Sequence, residues 1–137
     1  KRTMIEVVAG AIIIDRKLLC FQRGKAKFDY ISFGYEFPGG KLEAGESPQE
    51  ALKRELIEEL ELAVEVGEHV ITVEHHYPDF SIKMHCYICH ADSYDGTLND
   101  HVDFKALCSS QLDDVNWIAA DIPIKDAIKE KYSNELC

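Results

Sequence analysis

No run of apolar residues in this sequence is long enough to cross a bilayer. The longest, Val7 to Ile14, is broken by Gly10 and stops at Asp15, whereas a spanning helix needs about 20 such residues; no membrane partner is expected. Basic charge is also short. Fifteen Lys and Arg stand against 25 Asp and Glu, a formal net charge of −10, and the cations are scattered rather than banded, which argues against a nucleic-acid polymer as partner. A small polyanion remains admissible if a divalent cation supplies positive charge. The five cysteines are an odd number without framework spacing, and no stretch reads as a signal peptide, so a reducing cytoplasm is the expected setting. Low-complexity tracts, repeats and linkers are absent, and 46% of the 137 residues are apolar; residues 1–137 are expected to form one domain. The chain opens Lys1-Arg2-Thr3-Met4, so leading residues are expected to be missing or foreign.

What is present alternates between strand and helix signals. Ile5 to Ile14 and Leu18 to Gln22 predict a strand pair around the turn Asp15-Arg16-Lys17. Arg23 to Phe33 reads as loop, Tyr35-Glu36-Phe37 as a short extended piece, and Pro38-Gly39-Gly40 as punctuation that ends any strand. Ser47 as N-cap, Pro48 at the first helical position and Glu50 completing a capping box predict a helix from Pro48 to about Leu60. Val64 to Val66, His69 to Tyr77 and Phe80 to Ala91 predict further strands, with a hairpin at Tyr77-Pro78-Asp79. Leu98 to Leu107 is ambiguous, Ser110 to Val115 reads as a short helical turn, and Pro123 to Tyr132 as a closing helix. Strands mixed with two helices predict an α/β layered domain.

Along the first helix, Leu52, Leu56 and Leu60 form the stripe to be buried, while Glu55, Glu58 and Glu59 share an adjoining face. Three carboxylates so close repel one another by a few tenths of a kcal/mol per pair. A hard divalent cation offsets that directly, because magnesium prefers carboxylate and water oxygens and bridges to phosphates. The bland alternative is a solvated acidic face.

The surrounding residues favour the cation. Gly40, five residues, Glu46, seven residues, then Arg54-Glu55-Leu56-Ile57-Glu58-Glu59 and an apolar Leu62 resemble the Nudix box, and the chance of meeting its six fixed positions in a chain this long is on the order of one in a hundred thousand. The resemblance implies a Nudix fold, with a mixed sheet sandwiched between helices (α/β/α). It also implies Mg2+ as cofactor, with Mn2+ as a substitute, held by Glu55, Glu58, Glu59 and the main chain at Gly39. Gly39 and Gly40 permit a tight backbone turn, and Arg54 can clamp a carboxylate bidentately, with Glu46 as its expected partner. One family position is broken: the glycine expected after Glu59 and one further residue is Glu61, where a left-handed backbone costs roughly 1 to 2 kcal/mol.

Beyond the box, Glu36-Phe37-Pro38-Gly39-Gly40-Lys41, Arg23, Tyr77-Pro78-Asp79, Asp100-His101 and Ala120-Asp121-Ile122-Pro123 are similar to MutT-type and CTP pyrophosphohydrolase-like members. The likeness implies that Arg23 and Lys41 contact the nucleotide, that Phe37 and Tyr77 line the base pocket, and that Asp121 meets the base edge, accepting from an exocyclic amine or, if protonated, also donating. A helix N-cap is the plain alternative for Asp121, and core packing for the two aromatics. Asp100 stands where relatives carry a glutamate reaching the metal or the attacking water, so Asp100 and Glu55 are both candidate bases. Cys86, Cys89 and His90 invite a zinc reading, but on a strand Cys86 and Cys89 point to opposite faces. Lys25 and Lys27 beside Phe28 and Tyr30 read as a solvated loop or an electrostatic guide.

The expected activity is Mg-dependent hydrolysis of a nucleoside triphosphate to monophosphate and pyrophosphate, serving nucleotide-pool cleansing, in a monomer or homodimer acting on a small-molecule nucleotide. Alternatives are a hydrolase of a nucleoside diphosphate derivative such as ADP-ribose, a non-catalytic nucleotide-binding module, and a protein-interaction domain with an acidic helix.

Overall fold

The computed structural model describes residues 3–137. Its centre is a mixed seven-stranded sheet built from β1 (Met4–Ile14), β2 (Lys17–Gln22), β3 (Tyr35–Glu36), β4 (Gly39–Lys41), β5 (Glu65–His76), β6 (Ser81–His90) and β7 (Asp103–Leu107). The order is β3-β2-β1-β6-β5, with β4 also against β1 and β7 against β2. The parallel pair β1 and β6 runs in register from Met4 opposite Ser81 to Ile13 opposite His90; the other pairings are antiparallel.

Two helices, α1 (Pro48–Leu60) and α2 (Ile122–Tyr132), cover the two faces. The alternation of β1 explains the sandwich. Val8, Ile12 and Ile14 pack with Leu52, Leu56 and Leu60 of α1, while Ala9, Ala11 and Ile13 pack with Ile124, Ala127 and Ile128 of α2, as period-2 side-chain alternation requires. Cys86 belongs to the α2-side core and Cys89 to the α1-side core, the opposite facing that the zinc reading could not accommodate. Both α1 boundaries match the sequence expectation. The Ser47 hydroxyl accepts from the Glu50 N–H at 3.1 Å and the Glu50 carboxylate accepts from the Ser47 N–H at 2.9 Å, so the capping box is closed at both ends.

Three expectations are corrected and one ambiguous segment is resolved. The chain does not leave the sheet at Pro38-Gly39-Gly40: β4 pairs Gly39 with Ala9 and Gly40 with Val8. The glycines permit this close approach, since a Cβ on Gly39 would overlap the Val8 carbonyl oxygen. The segments around Val66 and His69 are one strand, with irregular register between Val66 and Ile71, and Leu98 to Leu107 resolves into a loop followed by β7. Finally, Cys108 and Cys137 form a disulfide, while Cys20, Cys86 and Cys89 are free and buried. The linear spacing hides this bond because α2 and the turn after it bring Cys137 back.

That bond encloses a segment with a sequence separation of 29 residues, and loop-closure entropy for such a length is about 3 to 4 kcal/mol. Reduction is therefore expected to lower Tm by roughly 10 °C, read by calorimetry with and without a phosphine reductant. An unchanged Tm, with both thiols shown free by alkylation, would mean the bond carries no stability. No helix among the described residues is long and apolar enough to cross a membrane.

Candidate active site

One end of the sandwich opens into a cavity of ≈ 590 Å³ between β1, β6, the loop after β2 and the segment before α2. Arg23, Phe37, Gly39, Lys41, Glu59, Tyr77, Asp100 and Asp121 line it, whereas Glu46, Arg54, Glu55 and Glu58 do not. The expected site residues thus divide between a cavity and a polar cluster on α1 beside it.

Arg54 organises that cluster. Its Nε and Nη2 donate to the two oxygens of Glu46 at 2.7 and 2.9 Å, the bidentate fork expected of an arginine and a carboxylate. Its Nη2 also donates to the Lys41 carbonyl at 3.2 Å, and its Nη1 to Glu55 at 2.9 Å and Glu58 at 3.5 Å. The hydrogen bond from Arg54 holds the Glu46 carboxyl below the ordinary range, and the Arg54 guanidinium is raised by the same contact. Glu55 and Glu58 therefore turn toward a protein cation, and among the described residues no three Asp, Glu, His or Cys side chains already enclose a metal position.

The donors nevertheless fit a hard cation. Burial, followed by the negative charge of Glu36, Glu55 and Asp100, pushes the Glu59 carboxyl up to about 8, against the opposing hydrogen bond from the Gly39 N–H. Carboxyls so crowded that the charge of its neighbours helps to keep one of them protonated are what a divalent ion relieves. Gly40 contributes room, because a Cβ there would overlap the Glu55 carboxylate. The raised Glu59 value has a direction. Unfolded Glu59 ionises near 4.5 while the folded carboxyl keeps its proton to about 8, so between those values the folded state binds more protons and stability falls as pH rises. Metal-free protein should lose Tm across that window, and Glu59→Gln should flatten the slope. A slope unchanged in the variant would contradict the assignment.

The end of α1 is tied to the loop before β7. Glu61, in place of the family glycine, adopts the left-handed conformation at φ 51°, as the helix end requires of whatever residue stands there. Asn99 compensates, donating from its N–H to the Glu59 carbonyl at 2.9 Å and from its side chain to the Glu58 carbonyl at 2.8 Å. The next residues, Asp100 and His101, thereby reach the cavity.

At the other end of the cavity Asp121 is buried and accepts from the Phe37 N–H at 2.9 Å through Oδ1. It occupies the N-cap position of α2, as the plain alternative expected, but its side chain makes no cap hydrogen bond there. Burial, then the charge of Glu36, raises its carboxyl well above the ordinary value, which favours the protonated form, a donor as well as an acceptor. Phe37 stacks on Trp117 at 4.9 Å, and the Tyr77 hydroxyl accepts from the Ala120 N–H at 3.0 Å. Each aromatic serves both the core and the cavity wall.

Two residues lining the cavity were not singled out as site residues from the sequence. Glu36 stands between Asp121 and Glu59, raising the carboxyl of each, and accepts from Arg23 Nη1 at 3.5 Å. The His101 side chain is 3% exposed, with Nε2 2.9 Å from the other Glu36 oxygen. Its Nδ1 is buried without a hydrogen-bond partner among the described residues, a cost of about 1 to 3 kcal/mol. The sequence signal for Glu36 is its place between Tyr35 and Phe37, whereas His101, among Asn99, Asp100 and Asp103, carries none.

A mixed sheet between two helices, with the acidic end of α1 beside a nucleotide-sized cavity, defines a Nudix hydrolase; the NUDIX domain model matches residues 4–134, and the chain belongs to that family. Among individual proteins, it is 37% identical over 126 residues to the CTP pyrophosphohydrolase of Escherichia coli (strain K12), covering 90% of each chain. It is 36% identical over 125 residues to the putative 8-oxo-dGTP diphosphatase 2 of Mycobacterium tuberculosis (strain ATCC 25618 / H37Rv), covering 84% of this chain and 81% of that one. The solution structure of the E. coli ORF135 protein superposes with a TM-score of 0.75 at 36% identity, covering 94% of this chain and 91% of that one.

Proposed function

We propose that this enzyme, acting as one domain, hydrolyses a nucleoside triphosphate to the monophosphate and pyrophosphate and so removes damaged or surplus nucleotides from the pool. The observation that carries this reading is that one cavity is lined both by the buried Asp121 and by Gly39, Glu59 and Asp100 beside α1. One molecule can thus present a base to the first and a phosphate chain to the second. The relatives' names point to cytidine or oxidised guanine nucleotides.

The residues divide the work. A protonated Asp121 pairs a donor and an acceptor with a base edge that presents the complement, as both cytosine and 8-oxoguanine do. Phe37 and Tyr77 flank the base, and Arg23 and Lys41 meet the charge of the phosphates. Glu55, Glu58, Glu59 and the Gly39 main chain would hold Mg2+ or Mn2+. When bound, the ion supplies charge neutralisation for the phosphates and acidity for a water. Glu55 or Asp100 would take a proton from the attacking water, and Arg54 keeps Glu46 and Glu55 in place. The expected cytoplasmic setting follows from the substrate rather than from the cysteines, two of which are bonded.

A panel of CTP, dCTP, 8-oxo-dGTP, ADP-ribose and a sugar nucleotide, with and without magnesium and with separate phosphate and pyrophosphate readouts, tests the substrate class. A triphosphate should lead and release pyrophosphate only with the metal. In oxygen-18 water, the label should enter pyrophosphate, as in attack on the second phosphorus. Label in the monophosphate, or preference for ADP-ribose, would reject the assignment. Asp121→Asn should change the ranking of bases by about tenfold, and an unchanged ranking would remove Asp121 from base recognition.

A further inference from the structure

We infer that His101 is a positioning residue for substrate binding: through Glu36 it sets the Arg23 guanidinium at the mouth of the cavity. The inference rests on reading that cavity as the nucleotide pocket.

The relay is short. His101 Nε2 lies 2.9 Å from Glu36 Oε2, and the opposite oxygen, Oε1, lies 3.5 Å from Arg23 Nη1. A carboxylate held at one oxygen by a rigid ring has its plane fixed, so the second oxygen faces a defined direction. The ring is itself fixed. It lies 5.4 Å from the Phe21 ring, centroid to centroid. Its backbone is held between Asn99, bonded to the end of α1, and Val102, whose N–H donates to the Gln22 carbonyl at 3.0 Å. The Arg23 side chain, by contrast, is 42% exposed, so its direction depends on the anchor it meets.

Packing alone does not account for the imidazole. A phenylalanine would fill the same space against Phe21 without leaving a buried nitrogen unpartnered, as Nδ1 is. Among the described residues, the one polar contact that His101 makes through its ring is to Glu36. Glu36 also needs such a tether. It sits among the crowded carboxyls of Glu59 and Asp121, and without a tether its orientation would be left to solvent and to the half-exposed Arg23. A hydrogen bond from a buried N–H to a carboxylate is strong enough to decide the matter.

The test compares His101→Phe, which keeps the ring packing, with His101→Gln, which keeps an N–H donor. In ligand-free protein, the side-chain Nε–H resonance of Arg23, assigned by its loss in Arg23→Lys, should move toward the free-arginine position in His101→Phe and return in His101→Gln. An unmoved resonance in His101→Phe would overturn the relay. In turnover of the best triphosphate, KM should rise about tenfold in His101→Phe with kcat within about twofold. The same substitution in an Arg23→Lys background should add little. A full additional loss in that background, or a loss confined to kcat, would also overturn it. The resonance comparison needs no substrate, so it stands even if the triphosphate assignment fails.

Discussion

Glu58→Gln is expected to lower kcat about a thousandfold at saturating magnesium while leaving the fold intact. The side chain is 58% exposed and its one ion-pair contact among the described residues is Arg54 at 3.5 Å, so an isosteric change there should alter stability by no more than about 0.5 kcal/mol. The loss is chemical. A carboxylate that holds the divalent ion contributes in the transition state, and forfeiting roughly 4 kcal/mol of that stabilisation corresponds to about three powers of ten. Steady-state turnover with a magnesium titration measures it, together with Tm. Unchanged turnover would remove Glu58 from the metal site. A large fall in Tm would instead make it a structural residue.

Arg54 should be the second most sensitive position, and lysine should not rescue it. A guanidinium reaches Glu46 through two nitrogens while donating to Lys41, Glu55 and Glu58. An ammonium is a point charge that cannot hold this fork. Arg54→Lys therefore keeps the charge and releases the geometry, and misplacing Glu55 by about an ångström is expected to cost about a hundredfold in kcat. KM should move less, because Arg54 does not line the cavity. Activity within threefold of the wild type in Arg54→Lys would mean that charge alone suffices, and the positioning role would be wrong.

Much of this was readable before any coordinates. Helix α1 carries its own boundaries, since Ser47, Pro48 and Glu50 are local signals and Leu52, Leu56 and Leu60 mark the buried face. The pairing of Arg54 with Glu46, which precedes the helix cap, was expected from the box residues rather than from the helix. Other features depend on residues far apart in the chain. Strand β4 is invisible locally because glycine reads as a breaker, and only β1 makes it a strand. The Glu36–His101 pair joins residues separated by 65 positions. Asp121 finds the Phe37 N–H across 84 positions, which is why a helix cap was an equal reading of it. The grip of Arg54 on Glu55 and Glu58 was not anticipated either. The spacing places all these groups on one side of the helix but says nothing about which cation they choose.

That choice is the point on which the account turns, and a crystal structure with Mn2+ and a non-hydrolysable nucleoside triphosphate decides it. Anomalous scattering should show an ion in contact with Glu55, Glu58, Glu59 and phosphate oxygens, with Arg54 retained on Glu46 and the base against Asp121. Glu55 and Glu58 still turned to Arg54, with the nucleotide in the cavity and no anomalous peak beside α1, would contradict the metal site and the hydrolytic reading built on it.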